Sequence, residues 1–216
     1  MIYAFAQDFL PRLADAMVVV ARRATDSVAL PQITIASVIA LAITFFTDRE
    51  HGGTLNPVPA QWRQRKTIYS VYAWSSFAYS ATGVVYLLLL HRHPKKALYS
   101  NEILIEPALW IWQGVISFVC DFVDLGVLSW SHPADRLCAC VFIASQVVKF
   151  FLFVHVLPWS CMLLFPPALG VSLWTFGKSC LAVTRRDAAS FFFWHSVWHF
   201  ALPLTGLLFY ALRFLT

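Results

Sequence analysis

Residues 188–212 read AASFFFWHSVWHFALPLTGLLFYAL, a run without a single acid, lysine or arginine. Roughly 20 apolar residues are enough for a helix to cross the hydrocarbon core of a bilayer, and this run is longer. Its apolar residues are continuous rather than alternating, which selects a helix over a strand of a membrane barrel. The same run carries two histidines four residues apart, His195 and His199. The apolar background bears on the fold, and the two imidazoles raise the question of function.

The rest of the chain has the same character. Of its 216 residues, 59% are hydrophobic and 12% are charged, and the mean hydropathy is +0.67. A soluble domain has about a quarter of its residues charged, so this chain lacks the charge to cover a water-facing surface. Backbone polar groups find no water in the bilayer core, which leaves helices as the spanning elements. The expected architecture is an all-α polytopic transmembrane helix bundle of about six spans. These run over 28–47, 68–90, 105–128 and 135–156, then a fifth punctuated by Pro158, Pro166 and Pro167 and ending at Gly177 and Lys178, then 188–212. Residues 1–27 mix Asp8, Arg12 and Asp15 into an apolar background. That pattern predicts an interfacial or ragged N-terminal helix rather than a signal peptide, whose apolar core would be free of charge. Residues 28–216 form the bundle, with no internal repeat and no soluble domain.

The net charge of +5 sits in short basic clusters between apolar runs. Anionic lipid headgroups account for such clusters without nucleic acid. Lysine and arginine divide almost evenly between alternate loops, so they set no orientation. The five cysteines, Cys120, Cys138, Cys140, Cys161 and Cys180, lie in or beside apolar stretches with no CxxC spacing. They read as small buried hydrophobes rather than a disulfide framework.

Titratable groups inside a span cost several kcal/mol (about 3 or more) unless paired, solvated or metal-bound. The third expected span holds Ser117, Asp121 and Asp124; the fourth opens with Asp135 and holds Lys149; the last holds His195 and His199. Asp121 lies ~10 Å below the surface where its span ends, at ~1.5 Å per residue. Asp135 starts the next span at that surface, and the histidines enter the last span from the same side. All four groups therefore share one leaflet. Imidazoles at i and i+4 project from one helix face, and two imidazoles with two carboxylates make a tetrahedral zinc set. A position left to water would permit hydrolysis. Ser117, one turn before Asp121, stands ready to hydrogen-bond a substrate carbonyl. Simpler readings remain open: the histidines as interhelical hydrogen-bonders, Asp121 as an ion-pair partner of Lys149, Asp135 as a helix N-cap. Asp124 and His132 are reserve ligands. His155 reads as a satisfied polar residue near a surface, and His51, His91 and His93 as loop residues.

Ser117-x3-Asp121 in one span, Asp135 opening the next and His195-x3-His199 in the last resemble the signature of the CREST superfamily. That group includes the alkaline ceramidases, the adiponectin and progestin receptors, lipid-remodelling enzymes of GPI anchors and the myomaker relatives. AWSSFAYSATGVVYLLLL (73–90) resembles the family's small-residue-rich first span, and WHSVWHFALPLTG (194–206) its last. The resemblance covers about residues 68–212. It implies a zinc ion among Asp121, Asp135, His195 and His199, with Ser117 in a catalytic role. It further implies hydrolysis of an amide or ester bond of a membrane lipid such as a ceramide, and residence in endomembranes. Asp121 stands where the family pattern has a histidine, and two of the family's seven helices have no counterpart between Asp135 and His195. The alternative is a structural or accessory subunit of a membrane protein complex, with the fold kept and the chemistry lost. A transporter or proton relay ranks last, since paired repeats are absent.

Overall fold

The computed structural model describes residues 58–65, 71–98, 102–153 and 156–215. The helix expected over 1–27 and the span expected over 28–47 lie outside these, as do His51 and His155. After a 3-10 turn at Ala60–Arg65, the elements are α1 (Val71–Ser75), α2 (Phe77–Arg92), α3 (Glu102–Phe118), α4 (Ser131–Leu152), α5 (Trp159–Thr184) and α6 (Ala188–Leu215). Among the described residues there is no strand. α1 and α2 form one rod with a break at Ser76.

Among the described residues, four helices are long and apolar enough to cross a membrane: Val71–Arg92, Glu102–Val123, Trp159–Thr184 and Ala188–Phe214. α4 is not among them. It extends over 22 residues but carries Asp135, Arg136 and Lys149, so its charge separates it from the others. The expected fifth span is longer than the sequence pattern suggested, because α5 runs through Pro166 and Pro167 to Thr184. Neighbouring helices can satisfy the backbone groups that proline frees. α5 turns its large apolar side chains outward, with Trp159 77% and Leu163 69% exposed, a surface suited to lipid.

α5 and α6 form an antiparallel hairpin, and α6 also packs against α1 and α2. The hairpin turn is a Schellman closure: Asp187 N donates to Ala182 O at 2.9 Å and Arg186 N to Val183 O at 3.0 Å, with Arg186 in the left-handed region at φ 55°. Asp187 then caps α6, accepting from Ser190 N at 3.1 Å and Ser190 Oγ at 2.7 Å. The Ser190 hydroxyl and amide hold its carboxyl below the usual range.

Small residues let α2 and α3 approach closely, as membrane helices do without a hydrophobic drive between them. A Cβ on Gly83 would lie 2.7 Å from Pro107 O, and one on Gly114 would lie 2.9 Å from Ser80 N. Backbone blocks both positions, so Gly114→Ala is expected to destabilise the protein by about 1–3 kcal/mol, measured as a lower unfolding midpoint in detergent.

Two charge clusters lie buried at the end of the bundle where α3 starts and α6 ends. Arg213 donates to Glu102 Oε1 at 2.7 Å and Oε2 at 2.9 Å, and Tyr86 Oη donates to the same carboxylate. Lys149 Nζ pairs with Glu106 Oε2 at 3.2 Å, beside a 2.9 Å hydrogen bond from Gln146. The lysine partner of the sequence reading is therefore Glu106 and not Asp121. One turn of α3 separates Glu102 from Glu106, whereas Asp121 lies roughly 28 Å along the helix from Glu102 at 1.5 Å per residue.

Candidate metal centre

The α3 helix ends in a π-helical turn, Val119–Val123, in which Asp124 N donates to Val119 O at 2.8 Å. Such turns insert one extra residue per helical turn and recur at functional sites. Asp121 sits within it, 7% exposed, and is aimed at α6. There the four-residue spacing stacks His195 and His199, ring centroids 4.5 Å apart. Tyr72 and Phe191 flank His195, and Tyr79 meets His199 edge-on.

Asp121 Oδ2 is the hub. His199 Nε2 lies 3.2 Å from it and His195 Nε2 3.3 Å. Ser117 Oγ donates to it at 3.0 Å and lies 3.3 Å from His199 Nε2. The three donor atoms of Asp121, His195 and His199 all fall within 4.8 Å of one another. A tetrahedral zinc with bonds of 2.0–2.1 Å separates its ligand atoms by about 3.4 Å, so two edges of the triangle already have the size such an ion requires.

The outer nitrogens fix which ring atoms face inward. Ser75 Oγ donates its one proton to Tyr72 O at 2.8 Å. It therefore accepts from His199 Nδ1, also at 2.8 Å. In a neutral imidazole with Nδ1 protonated, Nε2 carries a lone pair, and here that lone pair faces a carboxylate oxygen. Ser179 Oγ holds His195 Nδ1 at 2.8 Å, and His195 Nε2 is buried without a hydrogen-bond partner among the described residues. The His199 Nε2 lone pair against the Asp121 carboxylate is repulsive, and a cation between them would relieve it. The donor set fits a divalent cation such as zinc, to which Asp121, His195 and His199 would offer three ligands.

Asp135 does not join the histidines' set. It lies in the second turn of α4 and not at its N-cap. It groups instead with Asp121 and Cys120, one donor atom of each within 4.8 Å of the others. Gln113 Nε2 donates to Asp135 Oδ1 at 2.7 Å. Of the reserve ligands, Asp124 accepts from Ser129 and Ser131 at the start of α4, and His132 contacts Cys120. His91 and His93 stand at the far end of α2. None of the five cysteines is in a disulfide.

Sequence reasoning passed over Ser75, Ser179 and Gln113. Single hydroxyls and amides in apolar helices are common, and only the fold reveals which of them reach an imidazole or a carboxylate. Outer-shell partners of this kind are worth about 10–100-fold in metal affinity, so Ser75→Ala and Ser179→Ala should each weaken zinc binding by that factor in chelator competition.

Asp121, Asp135, Ser117 and His195 open onto a cavity of about 570 Å³. One wall is a stripe of α4 spaced at helical intervals, including Ala139, Ile143 and Val147. The opposite wall comes from α5 and α6, including Leu173, Phe176 and Trp198. Compared with protein-family models, curated proteins and solved structures, the chain matches none of them.

Proposed function

We propose that this chain is a multi-pass integral membrane protein that hydrolyses an amide or ester bond of a lipid at a zinc centre held by Asp121, His195 and His199. One observation carries the reading: two buried imidazole nitrogens converge on a single carboxylate oxygen at 3.2 and 3.3 Å. The order of Ser117, Asp121, Asp135, His195 and His199 along the chain, resembling the CREST pattern, supports the lipid amide as substrate class.

When bound, zinc supplies a Lewis acid and brings the pKa of water to near 7. The protein does the rest. Ser75 and Ser179 hold the rings so that both Nε2 atoms face inward. The Ser117 hydroxyl, 3.0 Å from Asp121 Oδ2, can turn from that oxygen to a substrate carbonyl and donate to the charge that develops there. The apolar walls of the cavity hold an acyl chain and exclude bulk water. Gln113 holds Asp135 beside Asp121 through a 2.7 Å hydrogen bond.

The test is zinc content and turnover of a labelled ceramide by detergent-purified protein, native and His195→Ala, His199→Ala. Loss of zinc with loss of turnover is the expected result. Equal metal in both proteins, or zinc binding without turnover of any lipid amide or ester, ends the hydrolase reading. Ser117→Ala is expected to keep its zinc and lose about 10²–10³-fold in turnover, the cost of one oxyanion donor.

A further inference from the structure

Cys120, Asp121 and Asp135 bring one thiol and two carboxylates within 4.8 Å of one another, beside the histidine set and sharing only Asp121 with it. Cys120 is 5% exposed, and all three residues line the cavity. We infer that this group is a second divalent-cation site, so that the Asp121 carboxylate bridges two cations. The inference builds on the reading of the histidine site as a cation site.

The hydrogen bonds around Cys120 give its proton an acceptor. His132 Nε2 lies 2.9 Å from Val127 O, which can only accept, so the nitrogen is the donor. The lone pair of the neutral ring is then on Nδ1, and Nδ1 lies 3.0 Å from Cys120 Sγ. The thiol donates to it. On metal entry the S–H bond breaks, a sulfur–metal bond forms, and the proton passes to Nδ1 and on to solvent. Metal binding by cysteine releases such a proton.

A second feature points independently to an absent ligand. Gln113 is 2% exposed and lines the cavity. Its Nε2 is committed to Asp135 Oδ1, while its Oε1 is buried with no hydrogen-bond partner among the described residues. Buried acceptors are satisfied in folded proteins, and a cation at Asp135, or water carried with one, would fill this one. Asp121 has the oxygens for both roles. Its Oδ2 faces Ser117 and the two imidazoles, and a carboxylate oxygen of Asp121 also falls within the Cys120 and Asp135 group. Thiolate and carboxylate donors together suit zinc over magnesium or calcium.

The test uses the full chain in detergent, saturated with zinc, freed of excess metal and assayed for metal per chain. Two zinc ions in the native protein, one in Cys120→Ser and one in His195→Ala, His199→Ala is the expected pattern. One ion in the native protein that survives Cys120→Ser overturns the second site and leaves the histidine site standing. One ion lost only in Cys120→Ser upholds the second site and overturns the histidine site. None in the native protein overturns both. The native protein loaded with cobalt gives a readout independent of any variant's folding. A thiolate-to-cobalt charge-transfer band supports the site, and its absence overturns it.

Discussion

Asp121→Asn is expected to empty the metal centre. The substitution keeps the shape of the side chain and removes the one negative charge that faces both imidazoles, at 3.2 and 3.3 Å. Zinc affinity should fall at least about a thousandfold, ~4 kcal/mol at 1.4 kcal/mol per decade. Because Asp121 belongs to both donor groups, the loss should reach both cations, whereas the double histidine variant should lose one. Asp121→His is the informative companion. An imidazole can complete the set with His195 and His199, as the resembling family pattern has it, but it cannot bridge two cations. That variant should retain one zinc. Metal analysis with chelator competition checks all three proteins, and full zinc content in Asp121→Asn would exclude Asp121 as a ligand.

The second large effect lies at the opposite end of the bundle. Glu102 is fully buried and Arg213 is 5% exposed. The guanidinium meets the carboxylate in two hydrogen bonds of 2.7 and 2.9 Å and also donates to Tyr86 Oη at 3.1 Å. Removing one partner of such a pair leaves a buried charge uncompensated, at a cost of about 3–5 kcal/mol. Glu102→Ala is therefore expected to destabilise the protein by that amount, read from its unfolding midpoint in detergent. The double variant Glu102→Leu, Arg213→Met should recover most of the loss, since apolar residues of similar volume replace a buried pair at little net cost. A double variant as unstable as the single would mean that the pair is worth more than its apolar replacement. Neither variant should change zinc content, as the pair is remote from the metal centre.

Parts of this were legible in the sequence and parts were not. The spacing of His195 and His199 places both rings on one face of α6, because helical geometry alone decides it. The serine four residues before Asp121 looks like an ordinary helical neighbour. Its position owes as much to the π-helical turn at Val119–Val123, which no sequence period announces. Lys149 could have answered any of several buried acids, and only the packing of α4 on α3 shows that Glu106 is its partner. α4, the expected fourth span, is set apart from its neighbours by the charge of Asp135, Arg136 and Lys149.

The amino-acid sequence by itself determined that the chain forms apolar helices long enough for lipid, although their number, four among the described residues, came from the structure. The physical reason is local, since composition and a period of 3.6 residues suffice. Which side chains share a low-dielectric pocket was decided only by tertiary structure. Ser75 and Ser179 reach the imidazoles from different helices, and Asp121 stands between the histidines on one side and Cys120 and Asp135 on the other. Contacts between residues far apart in the chain depend on how whole helices pack, which nothing in the local pattern specifies.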